Sequence, residues 1–324
     1  SYAPAAYQIN DTTETYDIAA LLGGNTFDRA VTVLLGGVYL PTIWANIQGG
    51  INAAADGAGD TVNAIAGTYV ENVDVNQPVL LNVADGAVID GTLTVSNAGA
   101  VLSPGLTNPA VLSSGDLSLA TGTTHFDLNG TEAATPEYDQ LDVTGTVTLG
   151  GAFTFSLGYT PTAGDVLTII NNDNDDPIDL ISGNFTYNTV PVLDGDYIFI
   201  GGTAFQVSYF GADGTGNDLT LTAGATPTEV WVNDTWLEVA DASGGAPDGL
   251  ELGDVVSYDP SSVPLDDSSV ENKLFGVNAF STFGDDPVHS VVGGIAAVAD
   301  GGTVHVLAGT YTEQVTIQKS LVLD

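Results

Sequence analysis

Apolar residues recur at every second position over short runs, and the runs are separated by glycine, proline or asparagine. Val143, Val147 and Leu149, then Phe153 and Phe155, alternate with Thr and Ser. That period of two predicts strands with one buried face. Three further short strands are predicted, 61–65, 71–75 and 79–83, with turns at Gly67 and near Gln77-Pro78. No long run carries helical periodicity. Only small-residue segments such as 47–55 predict short helices. Forty glycines and abundant Val, Thr, Leu and Ala fit an all-β chain with many tight turns.

The chain also repeats itself. "AGTYVENVDV" (Ala66 to Val75) returns as "AGTYTEQVTI" (Ala308 to Ile317), with Tyr69 and Tyr311 lying 242 residues apart. A Gly-Gly-Ile segment precedes both copies, at Gly49–Ile51 and Gly293–Ile295. Strands this short, joined by single turns, suit a chain that winds into stacked coils, each strand pairing in parallel with the one a turn later. A helix before each repeat would shield the open edge of the first coil. In this reading Gly67 and Gly309 permit a corner through positive φ or close approach. Tyr69 and Tyr311 close the corner with apolar area and a hydroxyl. Glu71 and Glu313 satisfy nearby backbone donors. Three segments follow: 1–85 with the first motif, 86–225 as a strand-repeat block, and 226–324 with the second motif after a linker at 222–230.

At this level of patterning the residues resemble a known class. "TIWANIQGGINAAADGAGDTVNAIAGTYVENVDV" is similar to right-handed parallel β-helix segments of pectin-lyase-like bacterial surface proteins. "HFDLNGT", "YDQLDVTGTVTLGG" and "GADGTGNDLTLT" resemble the strand repeats of autotransporter passengers. The resemblance implies an all-β, right-handed parallel β-helix (a solenoid) with short capping helices and an additional β-rich module. It also implies an extracellular or cell-surface location. Members of that class continue into further coils after a strand like "SLVLD", so the coil ending at Asp324 is expected to be completed elsewhere. Either the sequence is a fragment of a longer protein, or another subunit completes the coil, and the second case leads to end-to-end self-association as a homopolymer.

Charge narrows the partners. Forty-one acids stand against three bases, Arg29, Lys273 and Lys319, for a formal net charge of −38. Such a surface repels phosphate backbones and anionic lipid, so nucleic-acid binding is not expected. No apolar stretch approaches the roughly 20 residues a membrane helix requires, so membrane insertion is not expected either. Self-repulsion calls for salt, bound cations or an acidic medium. With no cysteine there is no disulfide framework.

Candidate chemistry is sparse. Calcium takes six to eight oxygen ligands, and "NNDNDDPID" gathers Asp173, Asp175, Asp176 and Asp179. Its start is similar to an EF-hand loop but lacks the glycine and distal glutamate. "GADGTGNDL" offers Asp213, Asn217 and Asp218, resembling a calcium β-roll repeat. For all of these, a solvated acidic turn is the competing explanation. Glycosylation sequons stand at Asn10, Asn129, Asn184 and Asn233. His125, His289 and His305 are isolated in sequence. No nucleophile elbow, phosphate loop or zinc spacing occurs. The "GHG" and "RIK" motifs of polygalacturonase-like hydrolases are absent. Trp231, Trp236 and Tyr258 could serve surface glycans as stacking platforms, or pack at a module junction. The leading expectation is an extracellular structural protein, part of a fibre, stalk or surface layer. The alternatives are a glycan-binding adhesin and a carbohydrate-active enzyme.

Overall fold

The structure is a computed structural model. It describes residues 6–8, 30–40, 42–54, 59–106, 108–172, 177–179, 183–188, 190–211, 217–224, 227–233, 236–240, 255–258, 273–274, 279–280 and 291–324. The chain is all-β in class. Among the described residues two short helices interrupt the strands, α1 (Ile47–Ala53) and α2 (Val291–Ala297).

Two units are distinguished. One comprises Ser1–Tyr159, Thr168–Thr186 and Tyr209–Leu219, and the other Thr160–Leu167, Tyr187–Ser208 and Thr220–Asp324. In the first unit the chain visits three sheets in the same order on every pass. Asp60–Ala64 lies in the first sheet, Gly67–Tyr69 in the second and Val73–Val75 in the third. The next pass uses Val79–Val83, Ala87–Ile89 and Leu93–Val95. The third uses Val101–Pro104, Val111–Ser114 and Leu117–Leu119, and the fourth Thr123–Leu128, Gln140–Val143 and Val147–Leu149.

All pairings between successive passes are parallel. Val62 opposes Leu81, which opposes Leu102; Tyr69 opposes Ile89; Val73 opposes Leu93, which opposes Leu117. A stable register follows from the period of two, because a one-residue slip would turn every apolar side chain outward. Val62, Leu81, Ile89, Leu93, Leu102, Leu112 and Leu117 are accordingly buried. A file of aromatic rings fills the later passes. Phe153 stacks on Phe185 at 4.5 Å between centroids and meets Phe126 at 5.2 Å.

The sequence predicts a turn at Gly67. The structure makes that residue the start of a three-residue strand, with φ +144°. Gly309 is not among the positive-φ glycines, so the second copy of the motif turns its corner without left-handed backbone.

The second unit contains an antiparallel hairpin, Tyr197–Ile200 and Thr203–Ser208, turned at Gly201-Gly202 with φ +59° and +86°. Two positive values in a two-residue loop match the right-handed twist of the flanking strands. Glu229–Val232 then pairs in parallel with Thr303–Val306, which pairs in parallel with Val322–Leu323. A separate antiparallel sheet contains Trp236–Ala240, Val255–Tyr258 and Lys273–Leu274.

Candidate functional site: capped corner and open coil

The repeated motif builds the same structure twice. A helix start leaves its first N–H groups without intrahelical partners. In the first unit the Glu71 carboxylate accepts from Ile47 N at 2.6 Å and Gln48 N at 3.2 Å, the first two residues of α1. In the second unit Glu313 accepts from Val291 N at 2.8 Å and Val292 N at 3.0 Å, the first two residues of α2. Each glutamate thus caps a helix and places negative charge at its positive end. Neither helix has an acidic residue in its own first turn. The cap has to come from the coil below.

The tyrosines complete the arrangement. Tyr69 Oη donates toward Ile65 O at 2.8 Å and Ala30 O at 3.2 Å. Tyr311 Oη reaches Leu307 O at 2.5 Å and Val232 O at 3.1 Å. One acceptor is the residue four earlier and the other lies on the neighbouring strand, so the hydroxyl pins the corner to that strand. Each helix rests on its sheet through a glycine. A Cβ on Gly50 would lie 2.6 Å from Val31 Cγ1, and one on Gly294 would lie 2.9 Å from Val232 Cγ2.

One difference separates the two copies. The strand beside the first coil, Val31–Leu35, runs antiparallel to Asp60–Ala64. Its counterpart Glu229–Val232 runs parallel to Thr303–Val306. The same carbonyl position and the same floor of valines are reached from opposite chain directions.

A second signal escaped the sequence reading. "DGTLTV" (Asp90 to Val95), "SGDLSL" (Ser114 to Leu119) and "TGTVTL" (Thr144 to Leu149) occupy one corner on successive passes. Their glycines stack closely. A Cβ on Gly91 would lie 2.2 Å from Glu71 O, and one on Gly115 would lie 2.8 Å from Gly91 O. The following residue bonds the next pass. Asn72 Oδ1 accepts from Thr92 N, and Asp116 Oδ1 accepts from Thr146 N and Thr146 Oγ1. Those two bonds, the backbone one first, hold the Asp116 carboxyl below its ordinary range. The Gly-x-apolar-x-apolar spacing could have revealed this corner, which needs a residue without Cβ.

The second unit leaves its next layer uncovered. Val73, Val75 and Leu81 are at most 1% exposed. Their counterparts Val315, Ile317 and Leu323 are 40, 48 and 45% exposed, and Val322 is 55% exposed. Leu321 is half-buried. Gly67–Tyr69 and Val73–Val75 are strands, whereas 309–311 and 315–317 are not, although they repeat the motif.

Other expected site residues are dispersed. Asp173, Asp175, Asp176 and Asp213 lie outside the described residues, as do Asn10 and His289. Asp179 sits on strand Ile178–Asp179 opposite Thr148. Asp218 is buried and accepts from Asn172 N at 2.8 Å, a structural bond. Asn217 is also buried, and neither of its side-chain polar atoms has a hydrogen-bond partner. Among the described residues no three His, Cys, Asp or Glu side chains gather as a metal group.

Two surface expectations are corrected. Asn233 is fully buried, so its sequon has no room for a glycan. Asn129 is exposed and Asn184 is half-buried. Trp231 and Trp236 are buried rather than available as stacking platforms, because sheet packing takes their apolar area. Trp231 stacks on His305 at 4.8 Å, and His305 Nδ1 lies 3.3 Å from Asp324 Oδ2. The side chain of Tyr258 is outside the described set.

The histidine at 125 is not isolated in space. Its Nδ1 lies 2.9 Å from Thr154 Oγ1, and its Nε2 lies 3.1 Å from Ser156 Oγ and 3.3 Å from Asp127 Oδ1. Parallel register brings this group together, since His125 opposes Thr154 and Asp127 opposes Ser156. It cross-links two outward rows of side chains.

Behind it, Asp139 is buried. Its carboxylate accepts from Ala110 N at 2.8 Å and Asp127 N at 2.7 Å. Burial outweighs those bonds and pushes its pKa up to about 7.

Comparison with known proteins finds no match: no protein family fits the chain, and no curated protein or solved structure is similar to it. No helix among the described residues is long and apolar enough to cross a membrane.

Proposed function

We propose that the chain is an extracellular structural protein, a segment of a surface fibre, stalk or layer, built as a right-handed parallel β-helix like those of pectin-lyase-like bacterial surface proteins. Support for the β-helix comes from the repeated order of three parallel sheets in the first unit and from a helix-capped corner that occurs twice. Stability in such a stack is roughly a sum of neighbour terms along its axis. The work is mechanical: stacked coils with an acidic exterior that offers trypsin-like proteases three basic residues. Calcium is the candidate counter-ion for that charge.

The observation that carries the assembly reading is the row Val315, Ile317, Val322 and Leu323. Exposed apolar rows beside unpaired backbone mark joining surfaces. A neighbouring subunit completes this coil end to end, and a head-to-tail contact that does not close gives a filament. Negative-stain microscopy tests the reading, with and without calcium, between pH 4 and 7 and in high salt. Filaments of constant width are expected. A monodisperse monomer at high concentration in all of these conditions would overturn it.

A further inference from the structure

We infer that the open row of the second unit receives a coil carrying a glycine above the Glu313 carbonyl, of the kind the chain itself forms at residues 84–104. The inference rests on the assembly reading only in taking this row for a joint; it adds what the joint accepts.

The first unit shows what fits. Its first coil has the same corner sequence, the same helix cap and the same tyrosine bonds as the second unit's coil. There the next pass lies in parallel register, with Ala87 opposite Gly67, Leu93 opposite Val73 and Val95 opposite Val75. Val101 and Leu102 then run beside Leu80 and Leu81. The closest approach to the coil below is at Gly91, where any Cβ would lie 2.2 Å from Glu71 O and 2.8 Å from Glu71 C. No real Cβ tolerates that distance to a backbone carbonyl, and the corner cannot shift without breaking the Glu71 bonds to α1.

The same features carry over to the second unit at the same offset. Glu313 is held by Val291 N and Val292 N, so its carbonyl is fixed in the same way. Val315 and Ile317 stand where Val73 and Val75 accept Leu93 and Val95. Residues 309–311 and 315–317 match segments that become strands where a further pass is present to pair with them. The occupant is therefore defined in chemical terms. It is a parallel β-coil with a glycine at the corner, apolar residues two and four positions later, and an apolar strand alongside Val322–Leu323. An acidic side chain at either apolar position, or any side chain at the corner, is excluded.

The test extends the full chain past Asp324 with a second copy of residues 83–223, since Asp324 aligns with Asn82. Hydrogen exchange is read at 309–323 and within the added coils. The expected result is at least about tenfold slower exchange at 315–323, with an added copy as protected as the original. Replacing the glycine at position 91 of the added copy alone, Gly91→Ala, should abolish the protection at 315–323. Three outcomes would overturn the inference. In one, the added copy is protected while 315–323 still exchanges freely. In another, the added copy is unfolded, since the open row should template it. In the last, the Ala variant protects as well as glycine. Concentration-dependent protection of 315–323 in a two-fold dimer of the unextended chain would also overturn it, because that row would then pack on itself. Filaments without this protection, or this protection without filaments, tell the two readings apart.

Discussion

Glu313 and Lys319 hold opposite ends of α2. The carboxylate accepts from Val291 N and Val292 N, and the ammonium donates to Val298 O, one residue past the last turn. An anion at the start and a cation at the end both complement the helix dipole. Burial pushes the Lys319 pKa down, with Asp300 opposing that shift. Glu313→Ala should cost about 1–2 kcal/mol through the lost cap and fray α2. Faster exchange of α2 amides, with 60–83 unchanged, is the check.

The tyrosine hydroxyls make a paired prediction. Tyr69→Phe keeps the buried ring and removes the bonds to Ile65 O and Ala30 O. Ile65 O loses that donor, while Ala30 O keeps the Ile65 N–H at 3.0 Å, so the loss should cost about 1 kcal/mol. Tyr311→Phe should cost less, because Tyr311 is not fully buried and water can replace the hydroxyl. Urea melts of the two variants give the order directly.

Close approach of helix to sheet predicts a further asymmetry. Gly50→Ala drives a methyl to within 2.6 Å of Val31 Cγ1 and 3.1 Å of Val62 Cγ1. Gly294→Ala meets Val232 Cγ2 at 2.9 Å and its other neighbours at 3.5 Å. Overpacking of this kind costs about 1–3 kcal/mol, and Gly50→Ala should be the worse of the two. Equal melting temperatures for both variants and the parent would refute the contact.

Stability should rise in acid. Asp139 has a folded pKa of about 7 against an unfolded 3.8. The folded state therefore binds the extra proton between those values. Its contribution, on the order of a few kcal/mol, is fully present below about pH 4 and is lost as pH rises towards 7. The net charge of −38 acts in the same direction through self-repulsion. Asp139→Asn separates the two. It sets an amide N–H against one backbone donor and should lower stability at pH 4, while flattening the slope from pH 4 to 7. A parent profile that is level over that range would rule out a buried neutral Asp139.

Much of the strand pattern could be read from the period of two, because inward positions must be apolar whatever the neighbours are. Val79–Val83 and the helix before each repeat were both legible. The roles of Tyr69 and Glu71 were legible as types of bond, since a repeated polar residue beside a corner needs partners there. What those partners are was not, because Ile47 lies 24 residues away and only the packing of α1 on the first coil brings it close. The His125 group was hidden for the same reason, its Thr154 and Ser156 contacts being set by register 29 and 31 residues on. Trp231 and Asn233 look exposed in a polar stretch, yet neighbouring strands cover them. The calcium clusters fall largely outside the described residues. Asp218, which does not, is engaged by Asn172 N.

The reversal of the strand beneath the two helices carries a consequence for how such chains lengthen. α1 sits on Val31 and Val33 arriving from one direction, and α2 on Val230 and Val232 arriving from the other. What the lid demands is a pair of branched side chains and one oxygen at a given spot, and either polarity delivers them. A new stack can therefore be started wherever those few atoms come together, and the route by which the polypeptide enters is free to vary.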